Sequence, residues 1–303
     1  MKKISIGIPV KNEVDNLPAL QTQVTRLINS PKYKSYSFEL LINDNLSDDG
    51  SAEHLAEWAN VDNRVKIFSL KKPLDFQATI QDLMKKAEGD VFALLQSDLQ
   101  DPVSVLEELI DISLKNLDSI VVAKAIKRKD AWYLLWSRKL FYGILNLLAD
   151  KNYYQGFQDF YILPKHVYEN VSKLPSQNLF IRGYLNFSYS NFIFLNYERS
   201  SRLGGQSKFR FNSLYDLALD GLLLYGRKFI RVLSIFSFLL FISSFTASVF
   251  LLLSALLGFY EDTKGWASIA LALMFVLSFL GILAGLVLEY LIRIHRQLSL
   301  REL

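Results

Sequence analysis

Val91-Phe92-Ala93-Leu94-Leu95-Gln96-Ser97-Asp98-Leu99-Gln100-Asp101-Pro102 passes from an apolar run into a polar cluster closed by a proline. A short apolar run bounded by turn residues predicts a buried strand, here Val91–Gln96. Val103–Lys115 then predicts a helix, and Pro102 suits its first turn, where a missing N–H costs nothing. Strand, polar turn and helix in this order form the repeating unit of an α/β fold with a mostly parallel sheet.

The same unit recurs along the first half of the chain. Further strands are predicted near Ile4–Val10, Phe38–Asp44, Val65–Leu70 and Ser119–Ala123, and further helices over Leu17–Ile28, Ala52–Trp58 and Gln77–Ala87. In such sheets ligands bind beyond the carboxyl ends of the strands. Polar clusters stand at three of those ends: Pro9-Val10-Lys11-Asn12-Glu13, Asn43-Asp44-Asn45-Leu46-Ser47-Asp48-Asp49-Gly50-Ser51, and Gln96 to Pro102. Asp and Asn after a strand also serve as turn residues and helix caps. Three clusters on one sheet point to a nucleotide site, with carboxylates able to hold Mg²⁺ alongside substrate phosphates.

The last quarter of the chain changes character. Residues 232–260 carry no charge, and neither do residues 266–288. Each run is long enough to cross a hydrocarbon core of roughly 30 Å as a helix. Arg227, Lys228 and Arg231 precede the first, and Arg293, His295, Arg296 and Arg301 follow the second. The connection, Glu261-Asp262-Thr263-Lys264-Gly265, is net acidic. The positive-inside rule then places both termini in the cytoplasm. The apolar run after Met1-Lys2-Lys3 is short and ends at Lys11-Asn12-Glu13, so no signal peptide is expected. Trp132–Leu148 and Ser213–Tyr225 are amphipathic and suit helices at the headgroup level, although packing on the sheet would give the same pattern. Gly281 and Gly285, four apart, fit close helix packing, and Glu289 suits the membrane interface with Arg293 one turn later.

Composition narrows the chemistry. There is no Cys in 303 residues, which excludes thiolate chemistry and disulfides, and three scattered His do not make a His-rich metal site. The net charge of +4 is not gathered into one basic block, so nucleic acid is not an expected partner.

The motifs taken in order resemble those of a family-2 glycosyltransferase with a GT-A fold, in the polyisoprenyl-phosphate branch that includes dolichol-phosphate mannose synthase and the bacterial undecaprenyl-phosphate glucosyltransferases. The matching stretches are Ile8 to Glu13, Asp44 to Ser51, Ser97 to Pro102, Ser137-Arg138-Lys139-Leu140-Phe141-Tyr142, Gly156-Phe157-Gln158-Asp159-Phe160, Asn178-Leu179-Phe180-Ile181-Arg182-Gly183, and Glu198 to Lys208. The Arg-x-x-Gly-x-Ser-Lys pattern at 202–208 is the most diagnostic. The two-helix tail is what the bacterial members carry.

This resemblance implies a cytoplasmic catalytic domain over residues 1–210, a juxtamembrane helix over 211–228, transmembrane helices near 230–259 and 266–292, and a cytoplasmic tail over 299–303. It implies an inner-membrane protein that forms a tetramer by analogy with the bacterial members. The implied reaction is inverting transfer of a sugar from a nucleotide-sugar donor to a polyisoprenyl phosphate, by default undecaprenyl phosphate, with Mg²⁺ or Mn²⁺. Carried over by position, Pro9, Asn12, Glu13, Asp44, Gln96 and Asp98 line the donor pocket, and Asp98 and Gln100 place the metal. Asp159, Asp98, Arg202 and Lys208 serve catalysis, and Arg128, Arg138, Arg199, Arg202, Ser207 and Lys208 face the phosphates of donor or lipid.

Two departures from the family pattern stand on the donor side. Gln96 replaces the first aspartate of the usual Asp-Ala-Asp motif, offering an uncharged oxygen and weaker metal binding. Pro73-Leu74-Asp75-Phe76-Gln77-Ala78 replaces the common Asn-Phe-Gly-x-x-Ala. A non-catalytic membrane scaffold is the rival these departures support. A processive polysaccharide synthase is the other, and it would carry a Gln-x-x-Arg-Trp motif that this chain lacks. The acceptor phosphate is largely deprotonated near neutral pH, so a strong general base is less necessary than cations that offset the repulsion between donor and acceptor. The resemblance makes Asp159 the residue usually discussed as the base, and this chemistry leads to the alternative expectation that it orients a metal or an arginine rather than removing a proton.

Overall fold

The computed structural model describes residues 2–70, 72–125, 157–176, 179–199, 227–257 and 266–301. The described residues form two compact units, a sheet domain drawn from residues 2–199 and a pair of helices drawn from 227–301.

In the sheet domain, β1 (Lys2–Val10), α1 (Leu17–Ile28), β2 (Tyr36–Asp44), α2 (Ser51–Val61), β3 (Val65–Ser69), α3 (Phe76–Lys86), β4 (Val91–Leu94), α4 (Val103–Lys115) and β5 (Ile120–Ala125) alternate as the hydrophobic pattern predicts. They are followed by β6 (Tyr161–Pro164), α5 (Lys165–Ser172), α6 (Ile181–Ser188) and β7 (Phe192–Tyr197). The seven strands lie in the order β3-β2-β1-β4-β6-β5-β7. Neighbours β3, β2, β1 and β4 are mutually parallel, as are β5 and β7, while β6 runs antiparallel to both β4 and β5. The sheet is thus mostly parallel, with one reversed strand in its interior.

The strands read as continuous apolar runs because both faces are covered. Ile4, Ile6, Ile8 and Val10 face Leu20 and Val24 of α1, Trp58 of α2 and Leu106 of α4. Leu41, Phe92 and Leu94 face Leu83 of α3, Val167 of α5 and Leu185 of α6. Each such side chain contributes about 1.5–3 kcal/mol when fully buried. Gly7 sits where a Cβ would come within 2.4 Å of the Phe92 ring, so the strand–ring contact needs a residue without a side chain.

Several boundaries shift by one to three residues, and three of them have local reasons. Pro102 is the residue before α4 and has an extended backbone (φ −65°, ψ 140°), so it caps the helix and does not occupy its first turn. β4 ends at Leu94, although the Leu95 amide still donates to the Gly7 carbonyl at 3.0 Å. Asp75, in the unusual 73–78 segment, caps α3 by accepting from the Ala78 amide at 2.6 Å.

The helix pair consists of α7 (Arg227–Leu256) and α8 (Trp266–Arg301). Ser234–Ser254 and Ala272–Leu291 are long and apolar enough to cross a membrane. Phe236, Leu240, Phe250, Leu273, Phe279 and Leu286 are exposed, which is costly in water and favourable in lipid. α8 runs on through Arg301, past the expected end of the second apolar span near 292, and Ile292 to Arg301 contain no Gly or Pro that would stop it. Gly285 of α8 packs against α7, where an added Cβ would stand 3.7 Å from Ser237, while a Cβ on Gly281 would meet nothing within 4 Å. The two glycines therefore do not act as one packing motif.

Candidate active site

The chain turns sharply at the carboxyl ends of β1, β2 and β4. Asn12, Leu46 and Leu99 all adopt left-handed backbone there, with φ of 53°, 56° and 56°. Asn tolerates this conformation, but for a leucine it costs of order 1–3 kcal/mol. Such strain persists where the surrounding structure holds it, and it concentrates at ligand sites.

Hydrogen bonds lock the first two turns together. The Asn12 amide donates to Ser47 Oγ at 2.9 Å, its side chain donates to Asp48 Oδ1 at 2.6 Å, and its Oδ1 accepts from the Asp48 amide at 3.0 Å. The Glu13 amide donates to Ser51 Oγ, and the Val14 amide to Asp49 Oδ2. Burial opposes the charge on Asp49, but bonds from Ser51 and Val14 outweigh it and hold the carboxyl below its usual range. Asp44, buried at the end of β2, accepts from Ser47 Oγ at 2.6 Å. Glu13 accepts from the Asn16 side chain at 2.6 Å. Pro9, Asn12, Glu13 and Asp44 thus lie together at the carboxyl ends of β1 and β2. Several of their polar atoms also build the turns themselves.

The β4 turn meets this edge. Ser97 Oγ donates to the Pro9 carbonyl at 3.0 Å. Asp98 Oδ1 accepts from the Gln100 amide at 3.1 Å, closing an Asx turn. Among the described residues no three His, Asp or Glu side chains converge as a metal cage. One carboxylate and one amide oxygen at 98 and 100 nevertheless suit a hard cation that takes its remaining ligands from a diphosphate.

On the other side of β4, the Gln96 amide donates to the backbone carbonyl of Asp159 at 3.1 Å, which joins the β4 turn to the turn before β6. The Asp159 carboxylate meets Arg182 of α6, with Nε 3.4 Å from Oδ2. Asp159 Oδ1 is buried and accepts no hydrogen bond. Tyr161 is buried close enough to Asp159 and Arg182 to sense both charges. Burial, reinforced by Asp159 and partly offset by Arg182, pushes its hydroxyl well above the usual phenol range, so it stays protonated.

Arg199 has a task that sequence reasoning did not foresee. Its Nε donates to Asp101 Oδ1 at 3.0 Å and its Nη2 to Oδ2 at 3.3 Å, and the Tyr197 hydroxyl donates to the same carboxylate. Asp101 is 2% exposed. Burial raises its pKa although Arg199 and Tyr197 pull the other way, and nearby Asp98 adds to the rise. Arg128, Arg138, Arg202, Ser207 and Lys208, together with the amphipathic stretches near 132–148 and 213–225, lie outside the described residues. Arg182 and Tyr161 were the residues without an assigned role. A lone arginine opening an apolar helix is the one signal that could have singled out Arg182.

A mostly parallel sheet whose turn clusters converge at the strand carboxyl ends, followed by two apolar helices, defines a GT-A enzyme with a candidate transmembrane hairpin. The chain belongs to glycosyl transferase family 2, whose family model matches residues 5–176. It is 25% identical over 301 residues to a prophage-derived bactoprenol glucosyl transferase of Shigella flexneri, covering 99% of this chain and 96% of that one. It is 27% identical over 311 residues to the undecaprenyl-phosphate 4-deoxy-4-formamido-L-arabinose transferase of Proteus mirabilis, covering 99% and 92%. Glucosyl-3-phosphoglycerate synthase of Mycobacterium tuberculosis, solved with Mn²⁺, UDP-glucose and phosphoglyceric acid, shares the fold, with a TM-score of 0.50 and 13% identity over 73% of this chain and 78% of that one.

Proposed function

We propose that this glycosyltransferase moves a sugar, with inversion, from a nucleotide-sugar donor to a polyisoprenyl phosphate, by default undecaprenyl phosphate, for surface glycan assembly. The observation that carries this reading is the hydrogen bond from Gln96 to Asp159, which sets the Asp98 turn beside the Asp159 pocket in a chain that also carries two membrane-length helices. The similarity to enzymes named for bactoprenol and undecaprenyl phosphate supports the acceptor class. The Mn²⁺ and UDP-glucose of the mycobacterial neighbour support a divalent cation and a nucleoside-diphosphate donor.

In this reading the turns after β1 and β2 receive the nucleoside, and Asp98 and Gln100 would hold Mg²⁺ or Mn²⁺ against the diphosphate. When bound, the cation supplies charge neutralisation for the departing diphosphate. The acceptor phosphate oxygen attacks the anomeric carbon in line as the bond to the diphosphate breaks. That oxygen needs no strong base, because it is largely ionised near neutral pH. Asp159 instead orients its surroundings through Arg182, and Arg202 and Lys208 offset the meeting of two anions.

The test is transfer of label from a panel of nucleotide sugars to undecaprenyl phosphate by the purified full-length chain with Mg²⁺ or Mn²⁺, read in the organic phase. Label in lipid from one donor is the expected result and names the sugar. Absence of transfer from every donor by a folded, donor-binding protein would overturn the reading.

A further inference from the structure

Gln96 occupies a position where the family pattern calls for an aspartate, and its side chain has a distinct partner. The Nε2 hydrogen bond to the Asp159 carbonyl spans 63 residues of sequence. An aspartate could not make it. A carboxylate carries no proton at neutral pH, would set a negative oxygen against the carbonyl oxygen, and reaches one methylene less far. The reversed placement of the Gln96 amide is excluded for the same reason, since it would oppose two acceptors.

The residue this bond holds is gripped from a second side. Arg182 pairs with Asp159 Oδ2 at 3.4 Å. The helix bearing Arg182 is itself tied to α3, because the Ile181 amide donates to Gln77 Oε1 at 3.1 Å. Asp159 is thus held through its backbone and through one carboxylate oxygen, and Oδ1 is left buried without a hydrogen bond. We propose that Gln96 is a positioning residue that fixes Asp159 against the donor-side turn through the hydrogen bond to its carbonyl, in place of the metal-ligand role an aspartate would take at position 96. This rests on the reading that Asp159 stands at the transfer site.

The two roles predict opposite responses. Gln96→Glu keeps the size of the side chain, adds a charged oxygen and removes the donor. Gln96→Met removes both donor and oxygen. Each variant would be prepared as the full-length chain in detergent, with thermal melting to show that it folds. Labelled-sugar transfer gives kcat and donor KM, and Mn²⁺ binding is read separately by electron paramagnetic resonance. For the positioning role, kcat falls about tenfold in both variants, equivalent to about 1.4 kcal/mol. Donor KM and Mn²⁺ affinity of Gln96→Met stay within about twofold of wild type. Gln96→Met adds no further loss in an Asp159→Ala background, because the two changes act through one interaction.

Tighter Mn²⁺ binding by Gln96→Glu with kcat preserved or raised would overturn the proposal. So would weaker Mn²⁺ binding by Gln96→Met with kcat restored at saturating metal, or losses that multiply in the double variant. If one variant fails to melt cooperatively, the other carries the comparison. A wild-type chain that transfers no sugar would instead count against the functional reading, and the Mn²⁺ measurement would still report on Gln96.

Discussion

Asp159, in the turn before β6, and Glu39, within β2, are both carboxylates of the sheet domain, and their surroundings give them different work. Asp159 pairs with Arg182 through one oxygen and keeps the other buried without a hydrogen bond, and in the proposed reading it orients its surroundings and does not remove a proton. Asp159→Asn, which keeps an acceptor oxygen, should retain most of the wild-type kcat. A drop of about 10²-fold or more, the range for loss of a general base, would show that the proton matters. Glu39 sits in β2, 2% exposed, and accepts from Ser5 Oγ at 2.6 Å, the Glu88 amide at 2.8 Å and Lys66 at 3.0 Å, with Lys3 2.9 Å away. Burial alone would raise its pKa, but these bonds outweigh it and bring the carboxyl from 4.5 to about 2. A depressed folded pKa stabilises the fold above the unfolded value and loses that contribution as pH falls from about 4.5 towards 2, a span of about 3 kcal/mol. Glu39→Gln should therefore flatten the acid limb of stability over that window, as measured by urea unfolding at stepped pH.

At the scale of elements, close approach of backbones decides which substitutions are tolerated. A Cβ on Gly89, before β4, would stand 2.8 Å from the Ser5 amide nitrogen and 2.9 Å from the Lys3 carbonyl, backbone atoms that cannot swing away. Gly89→Ala should cost about 1–3 kcal/mol, seen as a lower denaturation midpoint with an unchanged m-value. In the helix pair, Gly285 faces Ser234 and Ser237 at ordinary contact distance, while Gly281 faces open space. Gly285→Leu should lower the melting temperature in detergent, whereas Gly281→Leu should leave it unchanged. The three turns that carry left-handed Asn12, Leu46 and Leu99 were legible only as polar clusters. Their backbone conformation depends on partners such as Ser47, which lies 35 residues from Asn12 in sequence.

For the whole molecule, the division of the chain into a polar sheet domain and an apolar helix pair predicts where it resides. Two spans with mean hydropathies of 2.2 and 2.3 should keep the protein in the membrane pellet after an alkaline carbonate wash. Release into the supernatant would mean that the helices lie on the surface and do not cross. The basic flanks at 227–231 and 293–301 further predict that reporters fused to either terminus will be active on the cytoplasmic side.

The alternation of apolar runs and helical patterns determined the first five strands, the four helices between them and the two long apolar helices, because periodicity and length are local properties of a sequence. β6 is not legible in the sequence because Tyr161–Pro164 is only four residues long and closes on a proline, too short a run to stand out from its surroundings. Its insertion between β4 and β5 is a pairing choice that only the assembled sheet makes. The motifs likewise named Asp98, Asp159, Gln96 and Arg199 as site residues. Whether Gln96 reaches Asp159, or Arg199 binds Asp101, depends on hydrogen bonds between residues 63 and 98 positions apart, and only the tertiary structure brings those partners within reach.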